Sequence, residues 1–194
     1  MLKNISKYRI LLGSKSPRRR ELLQMMRIPF NVVNITGVEE TYPDTMPAVE
    51  IPLYLSGIKA DAYLPHLKED ELVITADTLV VHNDRILGKP HTHEEAITML
   101  RSLAGDTHLV VTGVTIATSR QRTSFSVTTE VTFSNLSEDE IRYYVDNFLP
   151  LDKAGAYGIQ EWIGGVAVEK INGSFYNVMG LPIHRLYNEL KLFS

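Results

Sequence analysis

The sequence predicts a mixed α/β protein, on three observations: short β-rich runs interleave with amphipathic stretches, two Ser/Thr-x-x-Glu signatures open helices, and an Asn-Asp pair turns one strand back on the next. Tyr8 to Leu12 is a short apolar strand that Gly13 ends. Pro17 to Met26 reads as a helix with Leu22, Leu23 and Met26 on one face, and Asn31 to Ile35 as a second strand. A helix begins near Pro52, a tolerated first-turn residue, with Leu55, Ile58 and Ala62 inward and Lys59 nearby. Leu72 to Val81 is a strand, and Asn83-Asp84 returns it into Arg85 to Leu87. Thr92-His93-Glu94-Glu95 has the form of a capping box, opening a helix through Leu103 that Gly105 stops. Leu109 to Thr118 and Phe125 to Phe133 are strands, with Arg120-Gln121-Arg122 at the hairpin tip. Ser137 to Glu140 is a second capping box, opening a helix to about Phe148. A glycine-rich stretch, a strand at Val166 to Ile171 and a final helix from Pro182 carrying Leu186 and Leu190 complete the chain. The interleaving is too irregular for a strict βαβ array, so a mixed sheet flanked by helices, as two lobes around a central cleft, is expected within a single 1–194 domain.

Composition narrows the function classes. With 194 residues the chain can bury about 70% of its unfolded surface and needs no covalent staple. It contains no cysteine, which excludes a disulfide framework, a thiolate zinc site and a cysteine nucleophile. Lys plus Arg is 20 against 23 for Asp plus Glu, and that balance argues against a general nucleic-acid or membrane-surface binder. No apolar run approaches the roughly 20 residues that span a bilayer, and Ile10-Leu11-Leu12 is too short for a signal core. A cytoplasmic location is expected. On that expectation the Asn-x-Ser sequons at Asn4, Asn135 and Asn172 are chance matches.

Five segments carry candidate chemistry. In Gly13-Ser14-Lys15-Ser16-Pro17-Arg18-Arg19-Arg20, Ser16 suits an N-cap and Pro17 the first helical position. Three arginines then oppose the positive end of the helix dipole, a mismatch of about 0.3–1 kcal/mol each, which a bound polyphosphate would offset. A solvated basic turn is the equal alternative. No Walker A loop occurs. Asp77 interrupts the otherwise apolar run from Leu72 to Val81, and an ionised carboxylate there needs a cation or a metal. The competing reading ends or bulges the strand at Asp77. Lys89 stands between Gly88 and Pro90 in a constrained turn, and Glu39-Glu40 is a carboxylate pair in a loop; each reads by itself as solvated surface more readily than as a ligand. His91 and His93 read as surface residues. In the stretch from Leu151 to Gln160, small residues around Tyr157 suggest close backbone approach, and the Gln160 amide can read a base edge. A compact structural loop with a surface glutamine fits that composition as well.

Several motifs recur in one order from Ser14 to Pro182. They are Ser14-x-Ser16-Pro17-Arg18-Arg19-x-Glu21-Leu22-Leu23, Ala76-Asp77-Thr78 and Leu87-Gly88-Lys89-Pro90. Next comes Leu103-x-Gly105-x-x-His108-x-Val110-x-Thr112-Gly113-Val114. Last are Asp152-Lys153-Ala154-Gly155-Ala156-Tyr157-Gly158-Ile159-Gln160 and Asn172-Gly173-Ser174 with Gly180-Leu181-Pro182. Together they resemble the Maf family of nucleoside triphosphate pyrophosphatases, and the segment from Gly155 to Gln160 resembles its dTTP- and UTP-acting branch rather than the 7-methyl-GTP branch. The resemblance implies a Maf/ITPase-like two-lobed fold, a divalent metal (Mg or Mn), a homodimer, and cleavage of a nucleoside triphosphate to monophosphate and pyrophosphate. By position it implies Asp77 as catalytic acid/base, and Arg18, Thr78 and Gln160 as substrate-choosing residues. It implies Ser14, Ser16, Arg18, Lys59 and Lys89 toward phosphate, with Glu40 and Asp77 toward metal. Around Ser56-Gly57-Ile58-Lys59-Ala60 the chain departs from the family's helix-favouring run, and Gly57 weakens the helix by about 1 kcal/mol relative to Ala.

Water is the expected nucleophile, because no cysteine exists and no serine has an adjacent base in sequence. Arginine, lysine and metal suit the charge that develops on a pyrophosphate leaving group. Two other classes compete: a non-catalytic nucleotide-binding regulator of cell division, and a nucleic-acid binder built on Arg18, Arg19 and Arg20. The acidic balance and the lack of an aromatic stacking motif weigh against the second.

Overall fold

A computed structural model describes residues 2–193. Strands and helices interleave in the order β1 (Arg9–Leu12), α1 (Pro17–Met25), β2 (Phe30–Val32), α2 (Ile51–Tyr63), β3 (Glu71–His82) and β4 (Arg85–Leu87). They continue as α3 (His93–Leu103), β5 (Thr107–Ala117), β6 (Arg122–Phe133), α4 (Glu138–Phe148), α5 (Trp162–Val166), β7 (Val168–Asn172), α6 (Phe175–Met179) and α7 (Ile183–Leu192). The strands form one seven-stranded sheet in the order β2-β1-β3-β5-β6-β7, with β4 beside β3. It is mixed as expected: β1 pairs parallel with β2 and β3, while β3 with β4 and β6 with β7 are antiparallel. The helices account for the rest of the α/β class the sequence predicts. Among the described residues no helix is long and apolar enough to cross a membrane.

The chain divides into two compact units. Unit 1 holds residues 1–77, 112–127 and 180–194, and unit 2 holds residues 78–111 and 128–179. In unit 1 the buried side chains include Leu12, Leu22, Leu23, Ile51, Leu72 and Ile74. In unit 2 they include Leu100, Leu103, Phe133, Tyr144, Val145 and Ile163.

Several local expectations are corrected. The second strand spans Phe30–Val32 rather than reaching Ile35, because its partner β1 runs out at Leu12. Val33 and Ile35 instead bond the Tyr63 phenol, which accepts from the Ile35 N–H at 3.1 Å and donates to the Val33 carbonyl at 3.2 Å. Helix α2 buries Leu55 as expected, but Ile58 and Ala62 are only half-buried while Ser56, Gly57 and Ala60 face inward. Polar and small residues win this face because it meets hydroxyls and backbone. The Ser56 hydroxyl lies 3.0 Å from that of Thr115, and Thr75 donates to the Ser56 carbonyl at 2.7 Å. At Thr92 the cap is half a box: the threonine accepts from the Glu95 N–H, while the Glu95 carboxylate takes the His91 N–H, one residue early. Ser137 and Glu140 form the full reciprocal box.

Strand β6 starts at Arg122, so the turn is tighter than expected, with the Thr118 N–H donating to the Gln121 carbonyl at 2.8 Å. The glycine-rich stretch hides helix α5, and β7 begins at Val168 instead of Val166. Gly164 packs so close to the Ile159 backbone that a side chain there would overlap it. Helix α6, Phe-Tyr-Asn-Val-Met, is only five residues long, too short for a helical period to show in the sequence. Its buried Asn177 donates to the Val110 carbonyl and the Thr129 hydroxyl, both at 3.0 Å.

At Gly113, β5 meets the start of α2: a Cβ there would overlap the backbone of Pro52 and Leu53. Gly113→Ala is therefore expected to destabilise the protein by about 3 kcal/mol, the upper part of the usual overpacking range. Urea unfolding measures it; wild-type stability in the variant would show that α2 can step back at no cost.

Candidate active site

In unit 1 the site begins at the start of α1. Ser16 is its N-cap, accepting from the Arg19 N–H at 3.4 Å, and the Ser14 hydroxyl accepts from the Ser16 N–H at 3.2 Å. Both serine oxygens therefore organise the turn before any ligand arrives. Arg18 and Arg19 sit in the first helical turn and are half-buried, whereas Arg20 is exposed. Arg19 is a strut. Its Nε donates to the Gly180 carbonyl and its Nη1 to the Ala76 carbonyl, each at 2.8 Å, and Nη1 also lies 3.5 Å from the Ser14 hydroxyl. Burial lowers the Arg19 guanidinium from its ordinary range, with Arg18 adding to the fall, while the charges of Asp77 and Glu40 raise it.

Asp77 lies inside β3, which continues without interruption from Glu71 to His82. The alternative of a strand ending at Asp77 is thus removed. Its Oδ1 is 2.6 Å from the Lys59 ammonium, and the same ammonium is 2.9 Å from Glu40 Oε2. Asp77 and Lys59 side chains are 13% and 17% exposed, Glu40 50%. Lys59 is on α2 two residues past Gly57, whose missing side chain leaves room for the Arg122 guanidinium that pairs with Asp61 at 2.5 Å. The family departure at Gly57 thus coexists with a formed helix and a placed Lys59. An ammonium has three donors, so the two carboxylates leave one for a further anion. Glu40 and Asp77 are the two hard oxygen donors that converge on one positive charge; among the described residues no cluster of three or more His, Cys, Asp or Glu forms a ready-made cage.

Unit 2 holds the other expected residues. Thr78 follows Asp77 on β3 and is half-buried. Lys89 is exposed between half-buried Gly88, whose carbonyl accepts from the Gly155 N–H at 3.0 Å, and buried Pro90. Gln160 is exposed at the turn closed by the Glu161 N–H donating to the Gly158 carbonyl at 2.9 Å. Beneath that turn lies a polar bracket. Lys153 Nζ is 2.7 Å from Asp152 and 3.1 Å from Glu161 Oε1. Glu161 Oε2 accepts from the Tyr144 hydroxyl, whose oxygen accepts from the Gly158 N–H at 3.0 Å. Burial, then the bond to Glu161, raises the Tyr144 phenol far above its ordinary range.

Tyr157 in the same segment lies 2.7 Å from the Nε2 of buried His108, and both rings pack edge-on with Phe133. Burial first, and then the charge of His82, pull the His108 ring from 6.5 to about 4, against a weaker opposing pull from Asp106. The folded protein keeps the ring neutral where the unfolded chain protonates it. Its contribution is full above pH 6.5 and is lost as the pH falls toward 4, on the order of 3 kcal/mol. Urea unfolding at pH 7.5 and pH 4 checks this: His108→Gln should remove that part of the acid destabilisation, and an unchanged pH slope would contradict it.

Within unit 1 the structure brings together Lys59, Glu40 and Asp77, and Arg19 ties the turn of Ser14 and Ser16 to the Ala76 carbonyl next to Asp77. The residue missed is Arg19, since the sequence offers three consecutive arginines and nothing says which turns toward β3. Also missed is the Tyr144–Glu161–Lys153 bracket. A lysine between Asp152 and the small residues Ala154 and Gly155 was its one visible signal.

The Maf-like protein family profile matches residues 9–193. The dTTP/UTP pyrophosphatase of Parabacteroides distasonis is 53% identical over 193 residues, covering 100% of both chains. That of Phocaeicola vulgatus is 54% identical over 191 residues, covering 98% of this chain and 99% of the other. The Flavobacterium johnsoniae protein of the same name is 45% identical, covering 98% of each. Among solved structures, the Staphylococcus aureus Ham1 protein superposes with a TM-score of 0.46 at 16% identity, over 64% of this chain and 71% of that one. Profile and full-length identities together place this chain in the Maf family.

Proposed function

We propose that the chain hydrolyses dTTP and UTP to the monophosphate and pyrophosphate, the activity named in the relatives it matches end to end. The observation that carries this reading is the Lys59 ammonium held between Asp77 and Glu40 at 2.6 and 2.9 Å, with Arg19 joining the Ser14 turn to the residue before Asp77. A water oxygen attacks the α-phosphorus, and Asp77 takes the proton it sheds. The bond from the α-phosphorus to the bridging oxygen breaks, and the electron pair leaves on pyrophosphate. Lys59 offers its remaining donor to a phosphate oxygen, and Ser14, Ser16, Arg18 and Lys89 add further donors and positive charge.

Glu40 and Asp77 would hold a magnesium or manganese ion, which is commonly bound through one or two carboxylates plus substrate phosphates. Such an ion would supply neutralisation of phosphate charge and would acidify water. Gln160, with Thr78, reads the base: one amide carries both a donor and an acceptor, the complement of a uracil or thymine edge. A larger purine is rejected at this segment. The setting is cytoplasmic nucleotide metabolism.

A nucleotide panel of dTTP, UTP, CTP, GTP and 7-methyl-GTP, followed for pyrophosphate release with magnesium and with manganese, tests the proposal. The highest kcat/KM is expected for dTTP and UTP, with purines lower by on the order of 10–200-fold. Turnover of none removes the enzyme reading, orthophosphate as product moves the scission to another bond, and a guanine preference overturns the role of Gln160.

A further inference from the structure

A glutamine amide has two ends, and which end faces the substrate decides whether it favours uracil or cytosine. Uracil and thymine present an N–H at ring position 3, whereas cytosine presents a bare acceptor nitrogen there. An amide free to rotate by half a turn serves both and separates them poorly.

Gln160 is not in neutral surroundings. Gln160 Nε2 and Glu161 Oε2 each lie 3.0 Å from the point where a Cβ would stand on Gly158, so amide nitrogen and carboxylate border the same open space and act on each other through their charge. The carboxylate is fixed there from both ends: Oε2 accepts from Tyr144, itself bound to the Gly158 N–H, and Oε1 meets Lys153. Glu161 is 20% exposed and Lys153 9%, so the bracket is largely out of solvent and its charge is poorly screened. A fixed negative oxygen beside the amide favours the orientation with the –NH2 end toward it, leaving the amide oxygen outward as an acceptor.

We infer that Glu161, held by Tyr144 and Lys153, is a positioning residue whose charge turns the Gln160 amide oxygen outward and thereby selects UTP and dTTP against CTP. The inference rests on Gln160 being the base-reading residue. It deepens that assignment, and it means that CTP is rejected more firmly than an unconstrained glutamine would allow. Gly158 belongs to the same device, because any side chain there would displace both groups.

The test measures kcat/KM for UTP and CTP by pyrophosphate release in wild type, Glu161→Gln, Tyr144→Phe, Gln160→Ala and the double variant Glu161→Gln/Gln160→Ala, with melting curves for each. Glu161→Gln should lower the UTP-to-CTP ratio about tenfold, chiefly through a gain on CTP. Tyr144→Phe, which keeps the carboxylate but frees it, should lower the ratio less. Gln160→Ala should also lower it, and Glu161→Gln should change nothing further in that background. Should Glu161→Gln fail to fold, Tyr144→Phe decides alone. An equal loss on both nucleotides, or an unchanged ratio in Glu161→Gln and Tyr144→Phe while Gln160→Ala shifts it, overturns the inference and leaves the base-reading role standing. A ratio untouched by Gln160→Ala overturns both.

Discussion

Asp77→Asn is expected to lower kcat by about 10³-fold or more while leaving the protein folded. The substitution keeps the shape of a side chain that is 13% exposed within a continuous strand, so backbone pairing is undisturbed. It removes a carboxylate that can accept a proton and replaces it with an amide that accepts none usefully. Lys59 is not stranded, because Glu40 remains 2.9 Å from its ammonium and the asparagine oxygen can still accept from it. The cost in stability should therefore be small, about 1 kcal/mol. Rapid-quench turnover beside a urea melt checks both halves. A folded variant with near-wild-type kcat would end the assignment of Asp77 as the base.

Arg19→Ala should fail differently, losing both stability and activity. Its guanidinium satisfies the carbonyls of Ala76 and Gly180 at 2.8 Å each, and Ala76 immediately precedes Asp77. Removing it leaves two acceptors to be resolvated, about 3 kcal/mol in all, and unpins the strand at the residue before the carboxylate. A fall of about 100-fold in kcat/KM is expected alongside. Arg19→Lys should recover little, since an ammonium cannot place donors on two separated carbonyls as the planar fork does. Full stability in Arg19→Ala would show the strut to be dispensable.

The contrast between these two residues also marks how far the sequence could be read. Asp77 was legible because a charge inside an apolar β-run violates burial rules, and a violation with a physical cost points to function. Local signals likewise gave α1, α3, α4 and the β3–β4 turn, since caps and turn residues act over a few neighbours. Arg19 was legible only as one of a run of arginines. Which of them turns inward depends on Gly180, far along the chain, and no local pattern carries that. The same holds for β2, which stops because β1 stops, and for the five-residue α6, too short to show a period and anchored by a buried asparagine. Helix α5 went unseen because Gly164 serves close packing on Ile159, while glycine in sequence reads as a loop. The bracket under Gln160 joins residues from α4 and two turns, and becomes visible only when they meet.

Isotope tracing from labelled water tests the central claim most directly. Hydrolysis of dTTP in water enriched in oxygen-18 should place one labelled oxygen in dTMP and none in pyrophosphate, because water attacks the α-phosphorus and the bridging oxygen departs with the leaving group. Label in the pyrophosphate, with unlabelled dTMP, would place the attack on the β-phosphorus and contradict the chemistry assigned to Asp77 and Lys59.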